Sequence, residues 1–352
     1  MQGIGNSVEV YLDDHLEIIP RNNLVPLGSP ARIEVRSKAS GAVVMGLMGG
    51  RERGQWLGLR VGAIAMAGLV VGGCPVWQSP GLAQPGFDLS PLDSAAERQL
   101  NQGLQRVQEG DLSGAIAAFR EAVRLDPEFS PGYYNLGLAL RQSGELQLAA
   151  EAFLEAVRTD SGFALAYGNL GAILLEVNNL PRARQYLQRA IDLDPRLGFA
   201  HYNLGLLHYQ QGQSDEALSA FRLAQRHTDN APEPSYYLGL LYLERGQTRR
   251  AKRALRQAIS LNPSYTEAHY QLGAILLAEG DLDAALRAFR ASREANPGYA
   301  NAYYGAGLVF IQQGNFENAR EVLAYARDRY QVQNQLQWVQ RTEQLLERIQ
   351  GR

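Results

Sequence analysis

Apolar residues recur at helical spacing through most of the chain, on a period of 34 residues. In one period Tyr133, Leu136 and Leu140 fall at steps of three and four residues, and a second stripe starts at Ala149. Two small residues mark each period without insertion or deletion: Gly103, Gly137, Gly171, Gly205, Gly239, Gly273 and Gly307 in the first stripe, and Ala115, Ala149, Ala183, Ala217, Ala251, Ala285 and Ala319 in the second. The pattern predicts seven helix–turn–helix units, because self-similarity at a fixed period is typical of stacked repeats.

Turn signals support the same division. A glycine or asparagine separates the two stripes of every unit, and proline, which cannot continue a helix, follows the second stripe in four of them: Pro127, Pro195, Pro263 and Pro297. Three units have Ser161, Asp229 or Gln331 instead, and Gln102 stands where leucine is usual. We expect these departures to loosen single turns only.

The recurring glycine predicts a close helix–helix contact. Glycine inside a helix costs about 1 kcal/mol relative to alanine, so its presence in all seven units predicts that something approaches it closely. The small alanine of the second helix is the expected partner. A pair of short helices cannot bury its apolar stripe alone, whereas stacked pairs form one continuous core.

Tyr133, Leu136, Gly137, Ala149, Phe153 and Ala156 together resemble the tetratricopeptide repeat. The resemblance implies an all-α fold, an α-α superhelix (solenoid) of seven 34-residue helix-turn-helix repeats with a C-terminal capping helix. The predicted repeats are 96-129, 130-163, 164-197, 198-231, 232-265, 266-299 and 300-333, with the cap at 334-350. A capping box of Ser94 and Glu97 predicts the first helix start.

Upstream of the repeats the chain changes character. Arg51, Arg53 and Arg60 precede an uncharged apolar run, so residues 45-83 are interpreted as a signal peptide or membrane anchor and 84-95 as a linker. Three interpretations stay open: cleavage after Ala83, lipidation of Cys74 within a loose lipoprotein box, or an uncleaved anchor. Membrane attachment would be through lipidated Cys74 in the second and through residues 60-83 in the third. All three predict export to a periplasm or an equivalent lumen. Residues 1-44 are predicted to be an unstructured extension, upstream of an alternative start at Met45 or Met48.

Composition and motifs argue against several function classes. The net charge of -2 disfavours nucleic acid as a partner. The sequence contains no phosphate-binding glycine loop, zinc-protease motif or nucleophile elbow, so we expect no enzyme activity, no cofactor and no metal. His201 and His208 are interpreted as structural, because His201 occupies a position that is aromatic in other units.

The resemblance further implies that the first helix of each repeat lines a concave groove for an extended peptide or a helix. The predicted groove residues are Asn101, Asn135, Asn169, Asn203, Tyr134, Tyr202, Tyr236, Tyr270, Tyr304 and Arg141. The asparagines either bond to a peptide backbone or are inherited consensus, and the tyrosines are interpreted as partner-binding. Arg141 is the lone candidate for a clamp that would hold a C-terminal carboxylate. The sequence therefore disfavours a receptor for chaperone tails.

These observations predict a non-catalytic, exported scaffold that binds an extended or helical segment of another protein. One alternative is an envelope or pilus assembly lipoprotein anchored through Cys74. Another is a peptide-presenting subunit for a separate glycosyltransferase.

Overall fold

The computed structural model describes residues 94–351 together with two short strands near the N-terminus. The strands, β1 (Val10–Asp13) and β2 (His15–Ile18), pair antiparallel with Val10 opposite Ile18 and Asp13 opposite His15. The predicted signal peptide or anchor at 45-83, with Cys74 and Ala83, lies outside the described residues, as do the linker up to residue 93 and the rest of 1-44.

The described residues fall into two compact units, divided after Pro234. The first unit contains α1 (Ala95–Gln108), α2 (Leu112–Leu125), α3 (Ser130–Gln142), α4 (Leu146–Thr159), α5 (Ala164–Glu176), α6 (Leu180–Leu193), α7 (Gly198–Gln210) and α8 (Ser214–His227). Helix α9 (Glu233–Glu244) begins at the division. The second unit continues with α10 (Thr248–Leu261), α11 (Thr266–Ala278), α12 (Leu282–Ala295), α13 (Ala300–Gln312), α14 (Phe316–Val332) and α15 (Leu336–Ile349).

Within each unit the helices pack in chain order. In the first unit α1 packs on α2, α3 on α4, α5 on α6 and α7 on α8, and α2, α4 and α6 also contact the first helix of the next repeat. In the second unit α11 packs on α12 and α13 on α14 in the same way. The predicted helix–turn–helix repeats and the all-α solenoid class are therefore confirmed. Among the residues described, none of the helices is both long and apolar enough to cross a membrane.

The glycine of each first helix lies against a bulky side chain of the second helix of the same repeat. A Cβ placed on Gly137 would lie 2.8 Å from the Phe153 ring, and one on Gly171 would lie 2.7 Å from Leu187 Cγ. The same contact recurs at Gly205 with Phe221, Gly239 with Leu255, Gly273 with Phe289 and Gly307 with Leu323. The predicted close approach is thus correct, and the nearest atoms belong to the Phe or Leu side chain. In the fifth repeat the Ala251 carbonyl oxygen also lies 3.6 Å from a Cβ placed on Gly239. The alanines Ala149, Ala183, Ala217 and Ala251 are fully buried in the core.

The turns inside the repeats need a left-handed residue. Gly110 has φ 79° and Asn178, the only repeat-turn residue that is not glycine, has φ 64°. Glycine adopts this conformation without a steric cost, and asparagine tolerates it better than most residues. The recurring turn residue seen in the sequence is therefore required by the backbone.

Five of the six junctions between repeats are made by aspartate or asparagine rather than by proline alone, and the sixth has Thr228 at this position. Asp160 ends α4 in an extended conformation, and its Oδ1 accepts a hydrogen bond from the Gly162 N–H at 2.8 Å. Asp126, Asp194, Asn262 and Asn296 make the same turn. The junction with Ser161 is consequently as well defined as those with proline, which corrects the expectation of a loosened turn.

The ends of the array differ from its middle. The capping box is confirmed, because the Glu97 N–H donates to Ser94 Oγ at 3.1 Å and the Ser94 N–H donates to the Glu97 carboxylate. Gln102 is exposed on α1, the first helix of the described part, where no earlier described helix covers it. A polar residue at this position is what the outer side of a terminal repeat requires.

The C-terminal cap is α15, packed on α14. With Gln331 in place of proline, α14 continues to Val332 before turning, so this departure extends the helix instead of loosening it. Trp338 stacks on Tyr330 with ring centroids 5.6 Å apart, and Ile349 packs against Leu323. Arg341 lies 34 residues after Gly307. The cap helix therefore lacks the glycine that the seven repeats share.

Five tyrosines of the first helices, named here the tyrosine column, pack into the core. They are Tyr134, Tyr202, Tyr236, Tyr270 and Tyr304. Tyr134 is 6% exposed, and its ring centroid lies 5.8 Å from that of Phe153 and 4.8 Å from that of Phe163. Tyr202 is 9% exposed and packs on Phe221. For these two rings the prediction of open groove lining is wrong, because they fill the space between the two helices of their own repeat.

The second-unit members of the tyrosine column are half-buried. Tyr270 packs on Phe289, Tyr236 on Tyr265 and Tyr304 on Trp338. Burial raises the pKa of Tyr270 to about 12. It also raises the pKa of Tyr134 to about 12, although a hydrogen bond with Asn169 acts in the opposite direction.

We predict that stability declines in strong alkali and that Tyr134→Phe makes the decline shallower. The unfolded chain releases the phenol proton near pH 10, whereas the folded chain holds it up to about pH 12. The stabilisation is therefore complete below about pH 10 and is lost as pH rises towards 12, by roughly 2 kcal/mol for this ring. Urea unfolding at a series of alkaline pH values measures it, and identical pH slopes for both proteins would contradict the burial of this phenol.

Candidate functional site

The first helices of neighbouring repeats lie beside one another. In the first unit α1 contacts α3 and α5 contacts α7, and in the second unit α11 contacts α13. We call the surface formed by α1, α3, α5 and α7 the first-helix face. The four predicted asparagines all belong to it, one on each helix.

Each of three asparagines on this face donates a hydrogen bond to its own helix. Asn135 Nδ2 donates to the Pro131 carbonyl at 2.8 Å, Asn169 Nδ2 to the Leu165 carbonyl at 3.0 Å, and Asn203 Nδ2 to the Phe199 carbonyl at 2.8 Å. Asn135 and Asn169 are only 9% and 7% exposed. A buried amide costs free energy unless it is hydrogen-bonded. These bonds therefore explain part of the recurrence of asparagine at this repeat position without any ligand. An amide has a second N–H and a carbonyl oxygen, which keep further bonding capacity.

The fourth asparagine, Asn101, is exposed on α1. It lies at the end of the array, where the neighbouring positions of the repeat are also polar. The four side chains therefore share a repeat position without sharing an environment.

Arg141 joins two repeats on the first-helix face. From α3 its Nη2 reaches Glu176 Oε2 of α5 at 3.6 Å, and its Nη1 reaches Asn169 Oδ1 at 3.4 Å. The Arg141 side chain is 18% exposed and that of Glu176 is 29% exposed. Both distances are long for charge-assisted hydrogen bonds. Arg141 therefore connects the two repeats from a partly desolvated setting.

Tyr134 completes a polar cluster with these residues, through the hydrogen bond between its hydroxyl and Asn169. The structure thus brings together Tyr134, Asn169 and Arg141 of the predicted site, with Glu176 added. The cluster combines a partly exposed cation and carboxylate, Arg141 and Glu176, with a buried amide and a buried hydroxyl. Asn101, Asn135, Asn203 and Tyr202 lie outside this cluster, on the same unit.

Half-buried leucines flank the polar cluster. Leu138 lies one turn before Arg141 on α3, and side chains three residues apart share a helix face. Leu206 occupies the equivalent position on α7, and both leucines pack against the core of the first unit while keeping part of their surface accessible. The first-helix face therefore combines apolar area with a few fixed polar groups.

The histidines have structural partners. His201 is 5% exposed, and its Nε2 lies 2.9 Å from the Pro195 carbonyl oxygen. His269 Nε2 lies 2.8 Å from the Pro263 carbonyl oxygen, and His208 Nδ1 lies 2.6 Å from Gln213 Oε1. Within the described part of the chain no group of three His, Cys, Asp or Glu side chains is placed to hold a metal ion.

Sequence reasoning missed two features of the site. Glu176 was not predicted as the partner of Arg141, and no periodic signal marks it, because other repeats have Gln, Glu or Ala at its position. The ring partner of Tyr134 was missed as well. Phe163 belongs to a visible column of apolar residues that precedes each first helix, with Phe129, Tyr265 and Tyr299 as other members.

Comparison with known families agrees with this architecture. The family described as the cilia and flagella-associated protein 70 C-terminal domain matches residues 86–302, and the tetratricopeptide repeat family matches residues 276–337. No curated protein matches the sequence significantly.

Solved structures of repeat proteins are similar to the chain. YrrB, a tetratricopeptide repeat protein with an unusual peptide-binding site, is 33% identical with a TM-score of 0.46, over 55% of this chain and 99% of that one. The pilF protein of Pseudomonas aeruginosa is 22% identical with a TM-score of 0.54, over 59% and 95%. A tetratricopeptide repeat protein from Parabacteroides merdae is 19% identical with a TM-score of 0.52, over 70% and 98%.

The last two similarities concern the fold alone. The first family match spans more than half of the chain, and it covers the same helical hairpins that the structure shows. The chain therefore belongs to the tetratricopeptide repeat family.

Proposed function

We propose that this protein is a non-catalytic scaffold that holds an extended or helical segment of a partner protein on the first-helix face. Protein–protein interaction is the general role of the repeat. The observation that carries the finer proposal is the conjunction of the half-buried Leu138 and Leu206 with the partly exposed Arg141 on one face. Apolar area next to a few fixed polar groups is typical of a peptide-binding surface.

The free energies expected from the leucines and from the polar groups assign them different roles. Covering the remaining surface of a half-buried leucine contributes about 1 kcal/mol, and a net hydrogen bond contributes about 0.5–1.5 kcal/mol. Several leucines supply affinity. The asparagines and Arg141 then fix the register of the bound segment.

Selection from a displayed library of random peptides tests this proposal, with the full chain as bait. We expect enriched peptides to bind wild-type protein and to lose affinity about fivefold or more in Leu206→Ala and in Arg141→Ala, because truncated contacts at the centre of an interface cost more than about 1 kcal/mol. Leu148→Ala is the matched control. This leucine is 39% exposed on the second helix α4, so binding should not change. Fluorescence anisotropy measures affinity, and circular dichroism verifies the helices.

Peptides that bind all three variants equally would contradict the proposal, as would a selection that enriches nothing. Loss in Leu148→Ala alone would move the binding surface to the second helices.

We also propose export. The support is the order of the N-terminal sequence, with arginines up to Arg60 followed by the uncharged run 61–71 and the small residues before Gln84. Within this proposal the repeats act in a periplasm or an equivalent lumen, and residues 60–83 supply either a cleaved signal or an attachment to the membrane.

Intact-mass spectrometry of the full chain, produced in a bacterium and fractionated, tests export. Cleavage predicts a product beginning at Gln84, lipidation predicts one beginning at Cys74 with added acyl mass, and an uncleaved anchor predicts the full mass in the membrane fraction. A full-length product found in the soluble cytoplasmic fraction would contradict all three.

A further inference from the structure

Helix α10 differs in charge from the other second helices. It carries four arginines and one lysine and has no acidic residue, although the whole chain has a net charge of -2. The second helix α8 of an earlier repeat, by contrast, has Asp215 and Glu216 in its first turn. The charge of α10 is therefore a local feature and does not reflect the composition of the chain.

Two arginines of α10 have counterparts on the next second helix. Arg287 and Arg290 of α12 follow Arg253 and Arg256 by one 34-residue period, and all four side chains belong to the second unit and are exposed. We call them the arginine quartet. Because residues one period apart hold the same place in their repeats, the quartet lies on one side of consecutive second helices.

The quartet makes no hydrogen bond or ion pair with any other residue that the structure describes. Carboxylates are available nearby on α12, since Asp283 is four residues before Arg287 and Glu294 is four residues after Arg290, yet neither forms such a pair. Lys252, by contrast, is paired with Glu279 at 2.6 Å. The cations of the quartet thus remain available to an anionic partner.

We infer that the arginine quartet docks an acidic segment of a polypeptide. A guanidinium matches the two oxygens of a carboxylate through paired N–H donors. Arg253 and Arg256 are separated by about 4.5 Å along the helix axis, close to the rise between acidic side chains on successive turns of a partner helix. The inference does not rest on the first-helix face, since the quartet lies on second helices.

An acidic polypeptide fits this surface better than a membrane. Helices that lie on bilayers combine basic residues with large apolar side chains that enter the lipid. The exposed large apolar residues of the described chain are Leu125, Leu148, Val332 and Leu336, and none of them belongs to α10 or α12. The surface is therefore electrostatic without an inserting element.

Binding of labelled poly-L-glutamate to the full chain, measured by fluorescence anisotropy at several salt concentrations, tests the inference. The test variant is the double charge reversal Arg256→Glu/Arg290→Glu. Its matched control is Arg120→Glu/Arg222→Glu, which reverses exposed arginines at the same repeat position in the first and fourth repeats and changes the net charge equally. We expect the test variant to bind about tenfold more weakly and to show a smaller salt dependence, with the control changed less than about twofold.

Equal losses in both variants would overturn the inference, because only net charge would then matter. Absence of polyglutamate binding to wild-type protein would overturn it as well. Binding to vesicles of phosphatidylglycerol and phosphatidylcholine is measured in parallel. If binding to vesicles depends on the quartet and polyglutamate does not bind, the partner of the quartet is a membrane surface and the inference is wrong. Peptides selected on the first-helix face should bind the test variant normally, so failure of one proposal is distinguishable from failure of the other.

Discussion

The contact between the first-helix glycine and the Phe or Leu of the second helix sets the geometry of each repeat. Because glycine has no Cβ, the large side chain can approach more closely than a Cβ would allow. Phe221 lies only 2.7 Å from a Cβ placed on Gly205. Two helices held this closely bury the large residue completely, at 0% exposure for Phe221. The stability contributed by that burial offsets the propensity lost by placing glycine inside a helix.

The first-helix surface follows from the same contact. Tyr134 packs on Phe153, the residue that lies against Gly137, and its hydroxyl meets Asn169 of the next repeat. Arg141 then spans from that asparagine to Glu176. The core contact thus fixes the ring, and the ring helps to fix the polar cluster. In repeat 3, where Gly168 replaces the tyrosine, Phe199 of the next first helix fills the place of the ring.

Periodicity was sufficient to predict the helices, their turns and the capping box, because each depends on residues close in sequence. Partners across helices were harder to predict. The glycine ladder indicated a close contact, but Ala and Phe both recur at a fixed distance from it, and only the three-dimensional packing selects Phe. The tyrosine column illustrates the same limit, since an aromatic residue at helical spacing fits a core and a groove equally well. The pairing of Arg141 with Glu176 carries no periodic signal and needed the structure.

A double-mutant cycle at Gly205 and Phe221 tests the central contact most directly, with unfolding by urea as the measurement. Gly205→Ala alone should destabilise the protein by about 1–3 kcal/mol, because the added methyl group overlaps the ring. In the Phe221→Ala background the same change should be neutral or stabilising by up to about 1 kcal/mol, since alanine is the better helix former once the ring is gone. Gly162→Ala, at an exposed glycine whose added Cβ meets only the Asp160 side chain, controls for glycine replacement itself. Equal destabilisation by Gly205→Ala in both backgrounds would contradict the account.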